Sequence, residues 1–311
     1  MKKLLYHVLV YLVGITVLFS VLGYFGRNYW LLDLFSHFKV QYFIVITVGT
    51  IILFFKRKKI AYIFIPFIVA LLLEISPLYF GSKKNDNLTS STKIICINLL
   101  SSNRKFEDVV RYISEKSPDI IVLQEFTHSW QSMLEPKFQE YQYRYTIPRE
   151  DNFGMTIYSR INVAVFEELK IGNAGLPSIR ADFLLGNTQV SLITTHPFPP
   201  IGADNFVSRN VQLSALGKLV AALENEVIVI GDLNTSSFSI HFKQLIADSQ
   251  LVDSRKGFGL LTTWPTWFSP ARITLDHCLV SRGISVNSRV VGDDIGSDHL
   301  PIFVEFKVDQ D

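Results

Sequence analysis

Residues 296–301 read Gly296-Ser297-Asp298-His299-Leu300-Pro301, directly ahead of the apolar run Ile302-Phe303-Val304. The Asp-His step sets a hard oxygen ligand beside a proton acceptor. At a strand end the two side chains leave in different directions and can serve one site. Alone the dipeptide says little, because most such pairs are solvated loop residues. Its weight comes from partners found outward along the chain. Asp276 lies within Ile273–Val280, and Asp232 and Asn234 close the apolar run Val227-Ile228-Val229-Ile230-Gly231. His196 follows Ser191–Thr195, Glu125 follows Ile121-Val122-Leu123-Gln124, and Asn98 follows Ile94–Ile97. All are acids, amides or imidazoles at or near the ends of apolar strands, and strand ends on one rim of a sheet are where sites assemble.

The periodicity between these residues gives the fold class. Lys93–Leu100 and Ile120–Leu123 read as strands, and Phe106, Val109, Val110 and Ile113 between them share one helical face. Strands follow at about 153–159, 162–167, 179–185 and 188–195, then a helix at about 206–223. The last strands are expected at 272–280, 284–291 and 300–307. Strand–helix–strand units mixed with hairpins make an α/β protein of mixed sheets with helices packed outside. Gly81–Thr92 (GSKKNDNLTSST) is polar and rich in turn formers, so 82–92 reads as a linker and 93–311 as the catalytic domain.

The chain before the linker differs in kind. Leu4–Phe25 runs 22 residues without a charge, and a hydrocarbon core needs roughly 20. Ile60–Phe80 carries one charge, Glu74. Val40–Phe55 is shorter, about 24 Å at helical rise, with Lys39 and Lys56-Arg57-Lys58-Lys59 placed to snorkel at its ends. Three transmembrane helices (about 4–25, 40–55 and 60–80) are therefore expected in a membrane region spanning 1–81. A cleaved leader fits less well, because the first run exceeds the usual length of roughly 7–15 and no small-x-small site closes it.

Lys2-Lys3 and the basic turn at 56–59 are retained on the cytoplasmic side. The third span then exits on the far side. The expected location is the plasma (inner) membrane, multi-pass, with the catalytic domain extracytoplasmic and the bilayer as partner. The outer loop, with Trp30, Leu31, Leu34, Phe35 and Phe38, is expected in the interface. Glu74 is expected to snorkel or to hydrogen-bond between helices.

Of 30 Lys+Arg and 28 Asp+Glu, the first 81 residues hold 8 and 2, leaving 22 basic and 26 acidic residues. That net of −4 gives a polynucleotide substrate no support. Cys96 and Cys278 lie in strand-like runs and suit buried free thiols, with pairing left open. Glu125, Asp298 and the amide oxygen of Asn98 are hard ligands for Mg²⁺ or Mn²⁺. Two cysteines and no close-spaced histidine pair make structural zinc a poor fit. A histidine held by a carboxylate can activate water, and a second can protonate a leaving oxygen.

In this order the motifs resemble those of the endonuclease/exonuclease/phosphatase superfamily of metal-dependent phosphoesterases, over about Lys93–Lys307. The matching pieces are Asn98, Leu123-Gln124-Glu125, Gly154–Arg160 (GMTIYSR), Gly231-Asp232-Leu233-Asn234, Leu275-Asp276-His277 and Ser297–Pro301. The resemblance implies a four-layer α/β sandwich. It implies Glu125 as principal metal ligand with Asn98 and Asp298 nearby, and His299 as base oriented by Asp276. Asp232 and Asn234 would position nucleophile and phosphate, and His196 would protonate the leaving group, although the sequence shows no carboxylate partner for it. Arg209 and Gln212, one helical turn apart, would reach a substrate phosphate. His277 is expected on the opposite side of its strand, and Trp264 and Trp267 either wall a site or pack.

The expected activity is hydrolysis of a phosphodiester or phosphomonoester by water. The sequence leaves open a nuclease acting on DNA or RNA, a phospholipase C or sphingomyelinase-like headgroup hydrolase, and a non-catalytic membrane protein keeping the fold. It implies no obligate protein partner.

Overall fold

The computed structural model describes residues 2–56, 59–81 and 91–308. Arg57-Lys58 of the basic turn and 82–90 of the linker lie outside the described residues, as do the side chains of Lys2 and Lys3.

Among the described residues twelve strands form two six-stranded sheets. The first sheet runs β11 (Ile284–Val291), β12 (Ile302–Val308), β1 (Thr92–Asn98), β2 (Ile120–Gln124), β4 (Met155–Ser159), β3 (Tyr143–Ile147). The second runs β5 (Val163–Lys170), β6 (Pro177–Leu185), β7 (Thr188–Thr195), β8 (Glu226–Asp232), β10 (Asp276–Val280), β9 (Val252–Asp253). Only β1/β2 and β7/β8 are parallel, and the helical segments α5 (Phe106–Lys116) and α7 (Ala203–Ala221) lie within their respective crossovers. Both sheets are thus mixed, as the periodicity indicates.

The continuous apolar runs are explained by burial on both faces. Ile94, Cys96, Val122, Ile157, Leu192, Ile228, Ile230, Val304 and their neighbours fill the space between the sheets. The alternate residues Ile95, Ile97, Ile121 and Leu123 face α5 and α6 (His128–Leu134). On the other side Ile193, Val227 and Val229 pack with α7 and α8 (Ile240–Ser249). The result is the four-layer α/β sandwich, helices–sheet–sheet–helices. Cys96 and Cys278 are both free and buried between the sheets, where burial pushes the Cys278 thiol up to about 12.

Register gathers one rim. Asn98 and Gln124 end the parallel strands β1 and β2 side by side. On the second sheet Asp232, the last residue of β8, faces Asp276, the first residue of antiparallel β10. The strand expected at 272–280 therefore starts only at Asp276, after the isolated bridge Trp264↔Ile273. Gln124 joins the two sheets there. Its Nε2 donates to the Thr195 carbonyl (2.9 Å), and its Oε1 accepts from the Asp232 amide (2.7 Å). Gly231 has φ +152°, and a Cβ there would lie 2.4 Å from Gln124 Nε2 and 2.7 Å from the Thr195 carbonyl oxygen. Only glycine fits a backbone approached this closely.

The N-terminal region consists of α1 (Lys2–Leu22), α2 (Trp30–Ser36), α3 (Lys39–Phe55) and α4 (Ala61–Ile75). Leu4–Phe25 and Ala61–Leu78 are each long and apolar enough to cross a membrane. The expected third span differs: α3 has 17 residues and reaches that length only with α2, from which it bends by 62°. What reads as an interfacial loop is thus largely the helix α2. Lys39 does not snorkel. Its side chain is 1% exposed, donates from Nζ to the Ser20 carbonyl (2.8 Å), stands over the Tyr24 ring and lies 3.7 Å from Glu74 Oε2. Glu74 in turn accepts from Lys243 on α8 (3.1 Å), so the acid in the last apolar helix joins that helix to the sandwich.

Candidate active site

A cavity of roughly 560 Å³ opens at the shared rim of the two sheets, with Glu125, His196, Asp232, Asn234, Asp298 and His299 in its lining. Each arrives by a strand end. Glu125 follows β2 with φ +55°, and Asn234 follows β8 with φ +49°. These left-handed turns are uncommon for residues other than glycine and are held by their surroundings. Ser101 grips Glu125 Oε2 through its amide (3.0 Å) and hydroxyl (3.2 Å). The Asn234 amide donates to Asp232 Oδ1 (2.8 Å), and Asn234 Nδ2 donates to the Pro197 carbonyl (2.9 Å).

His299 Nδ1 lies 2.8 Å from Asp276 Oδ2, and both side chains are buried. Its Nε2 is 3.6 Å from Asp232 Oδ2. The sequence names no carboxylate partner for His196, and the structure supplies one: His196 Nε2 stands 3.4 Å from the same Asp232 oxygen. Two imidazoles therefore flank one carboxylate, which Asn98 Nδ2 also approaches at 3.3 Å.

Electrostatics follow from this packing. Burial disfavours the imidazolium of His299, but Asp276 and then Asp232 outweigh it and raise its pKa to about 10. Burial opposes charge on His196 too, and its bond to Asp232 raises its pKa. Burial would raise Asp232, yet His299 and His196 hold it below the usual carboxylate range.

A pKa raised on folding contributes stability that is complete below the unfolded value, about 6.5. It is lost as pH rises through the folded value. In EDTA-treated protein, Tm should therefore fall as pH is raised from 6.5 toward 10, and Asp276→Asn should flatten that fall. A Tm equally steep in both proteins would show that His299 is not the group concerned.

Among the described residues no group of three or more His, Cys, Asp or Glu is arranged to hold a metal. A protein-only cage is thus not built, but the donor set fits a hard cation completed by water and substrate oxygens. Glu125 lines the cavity, and Asp298 keeps one buried carboxylate oxygen, Oδ1, without a hydrogen-bond partner. The other, Oδ2, accepts from the Trp264 indole (3.1 Å). Asn98 contributes less freely, since its Oδ1 already accepts from the Leu100 amide (3.1 Å).

Arg209 and Gln212 are not brought to the cavity. Both are fully buried. Arg209 donates from Nη2 to Asp33 on α2 and from Nη1 to the Asn234 carbonyl (3.2 Å). Gln212 Nε2 donates to Thr195 Oγ1 (2.7 Å). Their helical spacing is real, but the face they occupy looks into protein, not solvent. His277 points away from the site, as the strand alternation requires, with Nε2 2.8 Å from the Thr235 carbonyl. Trp264 walls the cavity, whereas Trp267 is exposed.

Two contributors were given no role by the sequence reading. Gln124, read only as part of the Leu123-Gln124-Glu125 motif, bonds the two sheets together. Phe153 packs on His196 (ring centroids 5.4 Å) and Phe198 (4.8 Å), and nothing in its local pattern marks it.

The Endonuclease/Exonuclease/phosphatase family matches over residues 95–299. No curated protein matches this sequence. Among solved structures the human Nocturnin catalytic domain with bound sulfate is 19% identical, with TM-score 0.59, covering 70% of this chain and 94% of that one. The D. rerio TDP2 complexed with single-strand DNA product is also 19% identical, with TM-score 0.56, covering 70% and 100%. Sphingomyelinase C from Streptomyces griseocarneus is 18% identical, with TM-score 0.51, covering 70% and 99%. At these identities the likeness is one of fold.

Proposed function

Because the chain belongs to the endonuclease/exonuclease/phosphatase family, we propose that it is a membrane-anchored, Mg²⁺-dependent phosphoester hydrolase working outside the cytoplasm. The observation that carries the chemistry is the pair of buried imidazoles around Asp232, one of them fixed by Asp276, at the floor of an open cavity. A divalent ion at Glu125 and Asp298, with Asn98 nearby, would polarise a phosphoryl oxygen, offset developing charge and weaken the imidazole's hold on its proton.

The chain's own residues do the rest. Asp276 orients His299 so that Nε2 can accept a proton from the attacking water. The water oxygen bonds to phosphorus, the ester P–O bond breaks, and the alcohol leaves with a proton. His196, held charged by Asp232, is suited to deliver that proton. Asp232 keeps both rings in place, and the two left-handed turns fix Glu125 and Asn234 before substrate arrives.

Full-length protein in detergent should hydrolyse bis(p-nitrophenyl) phosphate, lose the activity in EDTA and regain it with Mg²⁺ or Mn²⁺. Turnover indifferent to chelation would overturn the metal assignment, and no turnover under any metal would overturn the enzyme. An extracytoplasmic domain needs an odd number of crossings, and the two long apolar helices together with the bent pair α2–α3 taken as one span supply three, with Lys2-Lys3 and the basic turn at 56–59 favouring the inside. A reporter fused after Asp311 should be active only outside the cytoplasm, and a cytoplasmic signal would overturn the location.

A further inference from the structure

The cavity is not built by the sandwich alone. Leu34 and Phe38, from α2 and the bend between α2 and α3, form part of its wall together with the proline-rich turn after His196. That turn supplies Phe198, Pro199 and Ile201, and Ile201 is 65% exposed. Two apolar segments thus line the cavity, and one of them lies in the α2–α3 region between the two long apolar helices. With those helices in a bilayer, such a wall would stand near the level where polar headgroups give way to hydrocarbon.

Two further observations agree. Gln41, at the start of α3, donates from Nε2 to the Pro270 and Arg272 carbonyls (3.3 and 3.1 Å). The loop so held projects Trp267 and Phe268, stacked on each other with ring centroids 5.9 Å apart and exposed. Exposed aromatic rings beside the start of an apolar helix are the usual marker of a membrane interface. The second is charge. Among the described residues the cavity lining includes no lysine or arginine; Arg209 is paired with Asp33, and Arg272, beside the lining, donates to the Pro265 and Thr266 carbonyls. A nucleic-acid strand needs a cationic track along its backbone, and the cavity lining supplies none among the described residues.

We propose that the substrate is a membrane lipid carrying a phosphoester, bound with its phosphoryl group over His299 and Asp232. Its apolar chain passes between the Leu34–Phe38 wall and the Pro199–Ile201 lip into the bilayer. This rests on the phosphoesterase reading and gives it a substrate class.

The test compares two chromogenic diesters that differ only in chain, p-nitrophenyl hexadecyl phosphate and p-nitrophenyl ethyl phosphate. Full-length protein acts on each in the same neutral-detergent micelles, and scission of either ester bond is counted through nitrophenolate and extracted alcohol. The hexadecyl diester should be preferred on the order of 100-fold in kcat/KM. The double substitution Phe38→Ser, Ile201→Ser should cut that preference at least about fivefold in protein whose Tm shows it folded. A ratio near one overturns the proposal, as does a preference untouched by the double substitution, which would reflect micelle partition alone. A single-stranded DNA oligonucleotide cleaved as efficiently as the hexadecyl diester overturns it too. If neither diester is hydrolysed, the catalytic reading itself fails.

Discussion

His299→Asn should lower kcat on a phosphodiester by about 10²–10⁴-fold while leaving the melting temperature close to that of the parent above pH 10, where the parent imidazole has lost its charge. The asparagine amide can still donate toward Asp276 Oδ2, which His299 Nδ1 approaches at 2.8 Å. The buried carboxylate would therefore keep a partner. What is lost is Nε2, the atom that takes the proton. His299→Ala should reduce turnover as much but also lower Tm, because it strands a carboxylate that is 1% exposed. The comparison separates chemistry from folding. Full activity in the purified asparagine variant would remove His299 from the reaction.

The second large effect is expected far from the phosphoryl site, at Asp33. Asp33 and Arg209 are both fully buried, and Ser239 also donates to Asp33 (2.7 Å). Alanine at position 33 leaves a guanidinium in the interior with no counter-charge, a loss of about 3–5 kcal/mol. For a domain of this size that corresponds to a fall in Tm of roughly 10 °C. Arg209 also holds the Asn234 carbonyl (3.2 Å), so activity should fall with stability. Replacing both charges together, Asp33→Leu with Arg209→Met, should restore most of the stability, since it is the unpaired charge that costs. An Asp33→Ala protein that melts like its parent would show that α2 and α7 are not joined through this pair.

The same pair marks the limit of what could be read from the chain. The rim residues were legible because each obeys a local rule: an apolar strand stops, and a polar side chain follows. Asn98, Glu125, His196 and Asp232 emerge this way, His299 as the polar residue ahead of an apolar strand, and the parallel and antiparallel registers bring them together. Arg209 obeys a local rule as well, helical spacing with Gln212, but its role depends on Asp33, far away in another region. No window of sequence holds both. His196 illustrates the same point, since Asp232 becomes its partner only when β7 and β8 pair. Among the elements, β3 went unread because Tyr143–Ile147 is a partly buried edge strand with an exposed arginine in it. The helix α6 is a seven-residue turn signalled by its Thr127 cap alone.

The division of the cluster between the sheets has a mechanical meaning. Glu125 and Asn98 belong to one sheet, Asp232, Asp276 and His196 to the other, and Gln124 is a polar strut between them, beside the Asn98–Asp232 and His299–Asp276 contacts. The two half-sets are otherwise kept in alignment by aliphatic packing along the full thickness between the sheets. That dry interior therefore acts as the spacer of the reacting groups, and the tolerance to which it is packed is the tolerance of the catalytic geometry. A methyl group lost at Ile230 or Leu192, well inside the sandwich, is a change in how two halves of an instrument meet.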